Sequence, residues 1–137
     1  MTHPRWEHLL LDPVACYLRR KGFRLQQPEV RFYDQRIDLY AFSEAAKATL
    51  AVELKLHRWR HALRQALLYQ LCADYVYVVL PAAKVTSVKA DLFTSHGIGL
   101  VGVDLDMHCR QVIQAEHSTV MRQRYRLAYI RQLRRGR

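Results

Sequence analysis

Hydrophobic and polar residues change their spacing several times along the chain, and each change predicts a different element. Asp12 and Pro13 form a helix-start pair, so we expect a first helix from Pro13 to about Lys21, ended by Gly22. A short helical stretch over residues 4–11 is expected before it. After Gly22 apolar positions alternate with polar ones, which is typical of strands.

Three strands are expected next, joined by tight turns into an antiparallel meander. The segments PEVRFYD and RIDLYAF predict a hairpin, and a turn over residues 43–47 leads into TLAVELKL. In this third strand Glu53 and Lys55 share one face, and the apolar residues beside them share the other. Taken by themselves, two such charges fit the solvated face of an edge strand.

The second half of the chain alternates helices and strands. RWRHALRQALLYQLCA predicts a helix, because Trp59, Leu63, Leu67 and Leu71 recur every four residues and form a core-facing stripe. DYVYVVLP predicts a strand covered on both faces, and a helix over residues 84–95, the strand GIGLVGVDL and a long basic helix follow. The resulting order, α β β β α β α β α, describes an α/β domain whose mixed central sheet is flanked by helices.

Length, composition and charge narrow the class of protein. The 137 residues, half of them apolar, fit one folded domain. The sequence has neither the run of about 20 apolar residues that a membrane span requires nor the apolar run of a signal peptide. We therefore expect a cytoplasmic protein without a membrane partner. The net charge of +10 favours a polyanionic partner instead.

The positive charge is concentrated at the carboxyl end. Residues 110–137 hold eight arginines and one acid, Glu116, and therefore carry a net charge of +7. We divide the domain into a core over residues 1–109 and a basic, helical extension over residues 110–137. Four arginines of the extension are expected to hold a nucleic-acid backbone without reading its base sequence. These are Arg122, Arg124, Arg126 and Arg131.

Asp38 gives the charged face of the third strand a partner. It lies in RIDLYA, on the strand that is expected to pair with the strand of Glu53. Two neighbouring carboxylates repel each other unless a cation lies between them, and an oxygen-rich site of this kind suits Mg²⁺ or Mn²⁺. Lys55 on the same face can contact a phosphate oxygen or the attacking water. Such a site has what phosphodiester hydrolysis needs, namely a metal ion that polarises the phosphate and activates water, and a cation for the developing charge.

Asp38 in RIDLYA, with Glu53 and Lys55 in VELK, resembles the motif of the PD-(D/E)XK phosphodiesterase superfamily, the fold of many restriction endonucleases and Holliday junction resolvases. The resemblance implies a restriction endonuclease-like core in which Asp38, Glu53 and the backbone carbonyl of Leu54 bind Mg²⁺ or Mn²⁺. It also implies that Lys55 orients the attacking water. Glu7 matches the position at which many members carry a further metal-binding glutamate.

The segment QALLY resembles the Q-x-x-x-Y motif of the RecB-like branch of this superfamily. Gln65 and Tyr69 are four residues apart and lie on one helix face, which Arg58 and His61 extend. The resemblance implies that Gln65 takes part in catalysis and that the other three contact nucleic acid. Residues 7–81 look especially similar to a little-studied bacterial PD-(D/E)XK group. The implied function is metal-dependent hydrolysis of phosphodiester bonds in DNA.

Several alternatives remain open at the level of the sequence. The main alternative is a nucleic-acid-binding or assembly module on the same fold, without hydrolytic activity. RNA as the substrate and a homodimeric assembly are also open. Tyr33 and the other strand tyrosines fit strand packing better than a base-stacking platform.

Two groups of histidines and acids favour structural explanations. His57 and His61 are four residues apart, but no third ligand has the spacing of a zinc site, and a basic loop entering a helix explains them as well. Asp104, Asp106 and His108 alternate after the last predicted strand. We expect them to lie where this strand ends in a solvent-exposed turn.

Overall fold

The computed structural model describes residues 7–136, and within this range the chain forms an α/β fold in which helices flank a six-stranded mixed sheet. The strands are β1 Leu25–Phe32, β2 Gln35–Ser43, β3 Ala48–Leu54, β4 Tyr75–Pro81, β5 Gly99–Val103 and β6 Cys109–Ile113. The helices are α1 Leu11–Arg20, α2 Trp59–Tyr69, α3 Ala82–Val85, α4 Ala90–His96 and α5 Gln123–Arg135. Across the described residues, the helices are too short or too polar to cross a membrane.

The strands lie side by side in the order β1 to β6. The pairs β1–β2 and β2–β3 are antiparallel, which confirms the predicted meander. The pairs β3–β4 and β4–β5 are parallel, and β6 runs antiparallel to β5. The central position of β4 between two parallel neighbours explains its nearly continuous apolar sequence, because both of its faces are covered.

Each face of the sheet has its own hydrophobic cluster. One cluster lies under α2, α4 and α5 and contains Tyr40, Phe42 and Phe93. The other lies under α1 and contains Leu39 and Val52. The strand β3 contributes to both clusters, because its side chains alternate between the two faces of the sheet.

The first described helix differs from the prediction at its start. It begins at Leu11 rather than at Pro13, and Asp12 lies in its first turn without capping it. Glu7 and His8 are also helical, and a turn at residues 9–10 leads from them into α1. The predicted end is confirmed, since Gly22 has a φ of 98°, in the left-handed region that favours glycine. The predicted helical residues 4–6 lie outside the described part of the chain.

The predicted helix over residues 84–95 is wrong, because the structure has two short helices, α3 and α4, with a break between them. The Ser87 hydroxyl donates a hydrogen bond to the Lys84 carbonyl at 2.6 Å. Side-chain bonds of this kind offer the backbone an alternative to a continuing helix. Gly102 of β5 lets α3 approach the sheet closely, since a Cβ there would lie 3.1 Å from Val85 Cγ2.

The predicted helical extension over residues 110–137 is wrong for residues 110–122, nearly half of its length. Residues 109–113 form the edge strand β6, so the proposed division between residues 109 and 110 falls inside a strand. The helix α5 begins only at Gln123. Its residues Ile130 and Leu133 are buried in the cluster with Tyr40, so this helix completes the core.

The core-facing side of α2 is rotated relative to the predicted stripe. Trp59, Leu67 and Leu71 are only partly buried. The buried residues of the helix are Ala62, Leu63, Ala66 and Tyr69. The two alanines have small side chains, which lets the helix lie close to the sheet, and the rotation directs Tyr69 inward.

Candidate active site

The β2–β3 ladder ends where the predicted site begins. The regular pairing runs from Ser43 opposite Ala48 to Leu39 opposite Val52. Asp38 precedes Leu39 on β2, and here the side chain forms the contact with β3. Its Oδ2 accepts a hydrogen bond from the Leu54 N–H at 2.7 Å. A carboxylate thus replaces a backbone partner, at the point where the strands carry the charged residues.

Glu53 is buried on β3, with 3% of its surface exposed. Its Oε1 accepts a hydrogen bond from the Tyr69 hydroxyl at 2.9 Å, and its Oε2 lies 3.8 Å from Lys55 Nζ. Lys55 follows the last residue of β3, and its backbone N–H donates to the Val79 carbonyl at 3.0 Å. The end of β3 is therefore anchored to β4, which fixes the position from which both charges project.

Tyr69 is fully buried, so the prediction that it contacts nucleic acid directly is wrong. Its hydroxyl lies 2.9 Å from Glu53 Oε1 and 3.0 Å from the Arg36 carbonyl. Both groups accept hydrogen bonds, so the tyrosine connects the end of β2 to the carboxyl of Glu53. We interpret Tyr69 as a positioning residue that orients Glu53.

The acids of this region act on one another electrostatically. Burial and, after it, the nearby Asp38 together raise the pKa of Glu53 to about 9, although the Tyr69 hydroxyl and Lys55 oppose the increase. The pKa of Asp38 is raised to about 6, chiefly by burial and also by the charge of Glu7, while the hydrogen bond from the Leu54 N–H opposes the increase. Negative charge is therefore disfavoured here unless a cation offsets it.

Glu7 belongs to the same region, as the sequence predicts. It lines a cavity of about 130 Å³ together with Asp38, Leu54, Glu29 and Arg36. Among the described residues, its buried Oε2 has no hydrogen-bond partner. A buried carboxylate oxygen without a donor costs free energy, and a metal ion would satisfy it. The oxygen donors of this site fit a hard divalent cation such as Mg²⁺ or Mn²⁺.

Gln65 lies one helical turn before Tyr69 and contacts the hairpin between β1 and β2. Its Nε2 donates a hydrogen bond to Gln35 Oε1 at 2.9 Å. Its own Oε1 is buried and has no partner within the described part of the chain. Gln65 therefore offers an acceptor for a hydrogen of water or substrate near the site.

Arg58 and His61 lie at the beginning of α2, on the side where Lys55 leaves the sheet. Arg58 is exposed and has a φ of 60° at the position before the helix. The pKa of His61 is lowered, first by partial desolvation and then by the positive charges of Lys55, Arg58 and Arg64. Positively charged side chains thus lie near the end of β3 that carries Glu53. Contact of Arg58 and His61 with nucleic acid stays a prediction.

The four predicted arginines of the extension have different surroundings. Arg122, Arg124 and Arg131 are exposed, which leaves them accessible to a ligand. Only 15% of the Arg126 side chain is exposed; its Nε lies 3.0 Å from Asp74 Oδ2 and its guanidinium donates to the Lys47 carbonyl at 2.6 Å. Arg126 therefore anchors α5 to the sheet, which does not support a role in binding a nucleic-acid backbone.

Asp74 is a buried acid that is not among the predicted site residues. It accepts hydrogen bonds from the Thr49 N–H at 2.8 Å and from the Thr49 hydroxyl at 3.0 Å, besides the Arg126 contact. His117 Nε2 lies 3.2 Å from its other oxygen. These partners are distant in sequence, so no local pattern reveals the network.

Asp104, Asp106 and His108 form an exposed cluster whose potential ligand atoms lie within 4.8 Å of one another. Asp104 Oδ1 accepts hydrogen bonds from the backbone N–H groups of the other two residues, both at 2.9 Å. These bonds are those of a tight turn after β5. The predicted solvent-exposed turn is confirmed, and its hydrogen bonds account for the cluster.

A comparison with protein-family models finds no match for this chain, and a comparison with curated proteins finds none either. Among solved structures, the fold is similar to that of the SPO1766 protein of unknown function from Silicibacter pomeroyi, with a TM-score of 0.70. The two sequences are 19% identical, and the match covers 93% of this chain and 82% of the other. This similarity establishes a shared fold.

Proposed function

We propose that this protein is a metal-dependent nuclease that hydrolyses phosphodiester bonds in DNA. The observation that carries the proposal is the arrangement of Asp38, Glu53 and Glu7 beside Lys55 at the end of the β2–β3 ladder. The order of α1 to β4, which is helix, three-stranded meander, helix and strand, supports a restriction endonuclease-like core.

The carboxylates would hold the metal ion. Asp38, Glu53 and Glu7 would supply oxygen ligands, and the family resemblance adds the backbone carbonyl of Leu54. The raised pKa values of Asp38 and Glu53 indicate that the site favours a compensating positive charge. When bound, Mg²⁺ or Mn²⁺ would polarise the phosphate and make water a stronger nucleophile.

Lys55 would act on the attacking water and on the charge that develops at the phosphate. Its side chain is only 17% exposed, so its ammonium group works in a poorly solvated environment where electrostatic stabilisation is strong. The bond between its backbone and Val79 fixes the strand end. Gln65 would accept a hydrogen bond from water or substrate, and Tyr69 would orient Glu53.

DNA would be held by exposed cations rather than by base-specific contacts. Arg58 lies beside the site, and Arg122, Arg124 and Arg131 lie on or next to α5. Backbone contacts of this kind release counterions, so the affinity should fall steeply with salt.

The proposal is tested by incubating the protein with linear, circular and branched DNA, and with RNA of the same sequence, in Mg²⁺ or in EDTA. We expect cleavage of DNA by the wild type only with Mg²⁺. Asp38→Ala and Lys55→Ala should each lower the rate at least about 100-fold, which is typical for loss of a group that stabilises the transition state. Asp106→Asn, which changes an exposed acid outside the site, is the matched control.

Undiminished cleavage by both Asp38→Ala and Lys55→Ala would show that this site is not catalytic. DNA binding without cleavage of any substrate would favour the alternative, a nucleic-acid-binding or assembly module on the same fold. Preferential cleavage of RNA would support catalysis at this site, with RNA rather than DNA as the substrate.

A further inference from the structure

The hairpin between β1 and β2 presents an exposed aromatic ring. Tyr33 is 59% exposed, so the prediction that it packs within its strand is wrong. Its φ of 55° lies in the left-handed region, which is unfavourable for a bulky residue. The fold therefore maintains an unusual backbone conformation that places an apolar ring in solvent.

The exposed ring is held in place from two sides. Phe32, which is buried, contacts the Tyr33 ring edge to face, with ring centroids 4.7 Å apart. The Tyr33 hydroxyl lies 2.6 Å from the hydroxyl of Tyr125 in α5. A ring that is ordered before binding loses little conformational entropy when a ligand stacks on it.

Two arginines lie near this pair of tyrosines. Arg124 donates a hydrogen bond to the Tyr125 hydroxyl at 3.0 Å, and its guanidinium lies 4.8 Å from the centre of the Tyr125 ring. Arg122 and Arg124 both act electrostatically on Tyr33. An exposed aromatic ring flanked by arginines is the combination that binds single-stranded nucleic acids.

The same hairpin is connected to the candidate active site. Gln35 accepts a hydrogen bond from Gln65, and the Arg36 carbonyl accepts one from Tyr69, which also contacts Glu53. Asp38 lies five residues after Tyr33, so the two Cα atoms are at most roughly 18 Å apart. This distance is about five nucleotide steps. The ring therefore lies within a few nucleotides of the proposed scissile bond.

We infer that Tyr33, together with Tyr125 and Arg124, forms a stacking site for an unpaired nucleobase. Both faces of a base pair inside a closed duplex are covered by its neighbours, whereas an unpaired or terminal base has a face available for a tyrosine. The enzyme would therefore act on single-stranded DNA or at DNA ends. This inference rests on the proposed nuclease function and specifies its substrate class.

Binding is measured by fluorescence anisotropy with a labelled single-stranded oligonucleotide, in the Lys55→Ala background and in EDTA so that no cleavage occurs. Tyr33→Ala should weaken binding about tenfold, which is within the range for loss of one base-stacking side chain. Tyr33→Phe keeps the ring and should bind within about twofold of the parent protein. Tyr17→Ala is the matched control, because Tyr17 also has a cation near its ring, Lys21 Nζ at 5.3 Å, but lies on α1.

Relaxed, covalently closed circular duplex provides the second arm of the experiment. It has no ends and no unpaired bases, so we expect Tyr33→Ala to leave its binding unchanged. Equal losses for both DNA forms, or no loss for either, would overturn the inference. Absence of single-strand binding in the parent protein would overturn it as well.

Photocrosslinking gives a readout that does not depend on the folding of a variant. A single-stranded oligonucleotide containing 5-iodouracil is irradiated with the wild-type protein in EDTA, and the adduct is located by mass spectrometry. We expect the adduct at Tyr33 or Tyr125. Adducts confined to other parts of the chain would contradict the inference.

The two proposals fail in different ways. In one outcome, cleavage depends on Asp38 but is equally fast in Tyr33→Ala, both on single strands and on closed duplex. This result would support the nuclease and contradict the stacking site. Binding of single-stranded DNA that depends on Tyr33, without cleavage of any substrate, would support the stacking site and contradict the nuclease.

Discussion

Two carboxyl groups, Asp74 and Glu53, are equally buried near opposite ends of β3, and their surroundings differ. Both residues are 3% exposed. Asp74 is surrounded by donors, namely the N–H and hydroxyl of Thr49, the guanidinium of Arg126 and the ring of His117. Glu53 has the Tyr69 hydroxyl and a more distant Lys55, and it faces further acids.

This difference distinguishes a structural charge from a charge available for chemistry. The Asp74 network compensates a buried anion with donors from three parts of the chain, and it stabilises the fold. The Glu53 region leaves negative charge poorly compensated, which a stable fold does not require and a cation-binding site does. The comparison therefore supports a functional interpretation of the Glu53 end.

The largest expected effect is a difference in the free energy of unfolding between variants of Asp74 and Glu53. Asp74→Asn should destabilise the protein by about 3 kcal/mol, because it leaves the largely buried Arg126 without an anionic partner. Glu53→Gln should instead stabilise the protein by about 3 kcal/mol at pH 7, because folding of the wild type has to protonate a carboxyl that is ionised in the unfolded chain, and glutamine needs no proton. Urea unfolding of both variants in EDTA measures the difference. Similar losses in both variants would remove the distinction.

The second expected effect is a dependence of stability on pH. The pKa of Glu53 is raised in the folded state to about 9, above its ordinary value of 4.5, so the folded protein binds more protons than the unfolded chain between these pH values. Stability should therefore decrease as the pH rises towards 9, by up to about 1.4 kcal/mol per pH unit. Unfolding of the wild type and Glu53→Gln at pH 6 to 9, in EDTA, tests this. Parallel pH profiles would show that Glu53 does not titrate in this way.

How much of this comparison was accessible from the sequence depends on the range of the interactions. Asp38, Glu53 and Lys55 are predictable because strand alternation is local, and the meander that brings two of them together has short turns. The Asp74 network joins Thr49 and Arg126, whose separations of 25 and 52 residues from Asp74 leave no periodic signal.

Helix orientation and the edge strand are unpredictable for related reasons. The spacing of Gln65 and Tyr69 places them on one side of α2, but packing of Ala62 and Ala66 against the sheet decides that Tyr69 points inward. The strand β6 is mostly exposed, so its sequence CRQVI lacks the apolar alternation of a half-buried strand.

A third, smaller effect concerns Tyr69. Tyr69→Phe removes the hydroxyl that orients Glu53, and we expect kcat to fall about tenfold with little change in KM, the loss of roughly one hydrogen bond in the transition state. Steady-state cleavage kinetics measure both constants. A change confined to KM would instead indicate that Tyr69 contributes mainly to substrate binding.

The smallest effect distinguishes two arginines of α5. Arg131→Ala should leave stability unchanged and reduce the salt dependence of DNA binding by about one unit of slope, because it removes one exposed backbone contact. Arg126→Ala should instead destabilise the fold through loss of the Asp74 pair. Thermal unfolding and binding at several salt concentrations test both variants; an unchanged slope in Arg131→Ala would argue against a phosphate contact there.

The most direct test of a cation site at the Glu53 end is the melting temperature measured during a Mg²⁺ titration. A ligand that binds the folded state raises the melting temperature. We predict a rise that saturates with Mg²⁺ in the wild type and in Asp106→Asn, and that is lost in both Asp38→Asn and Glu53→Gln. No rise in the wild type, or the same rise in all four proteins, would contradict a cation site at the Glu53 end of β3.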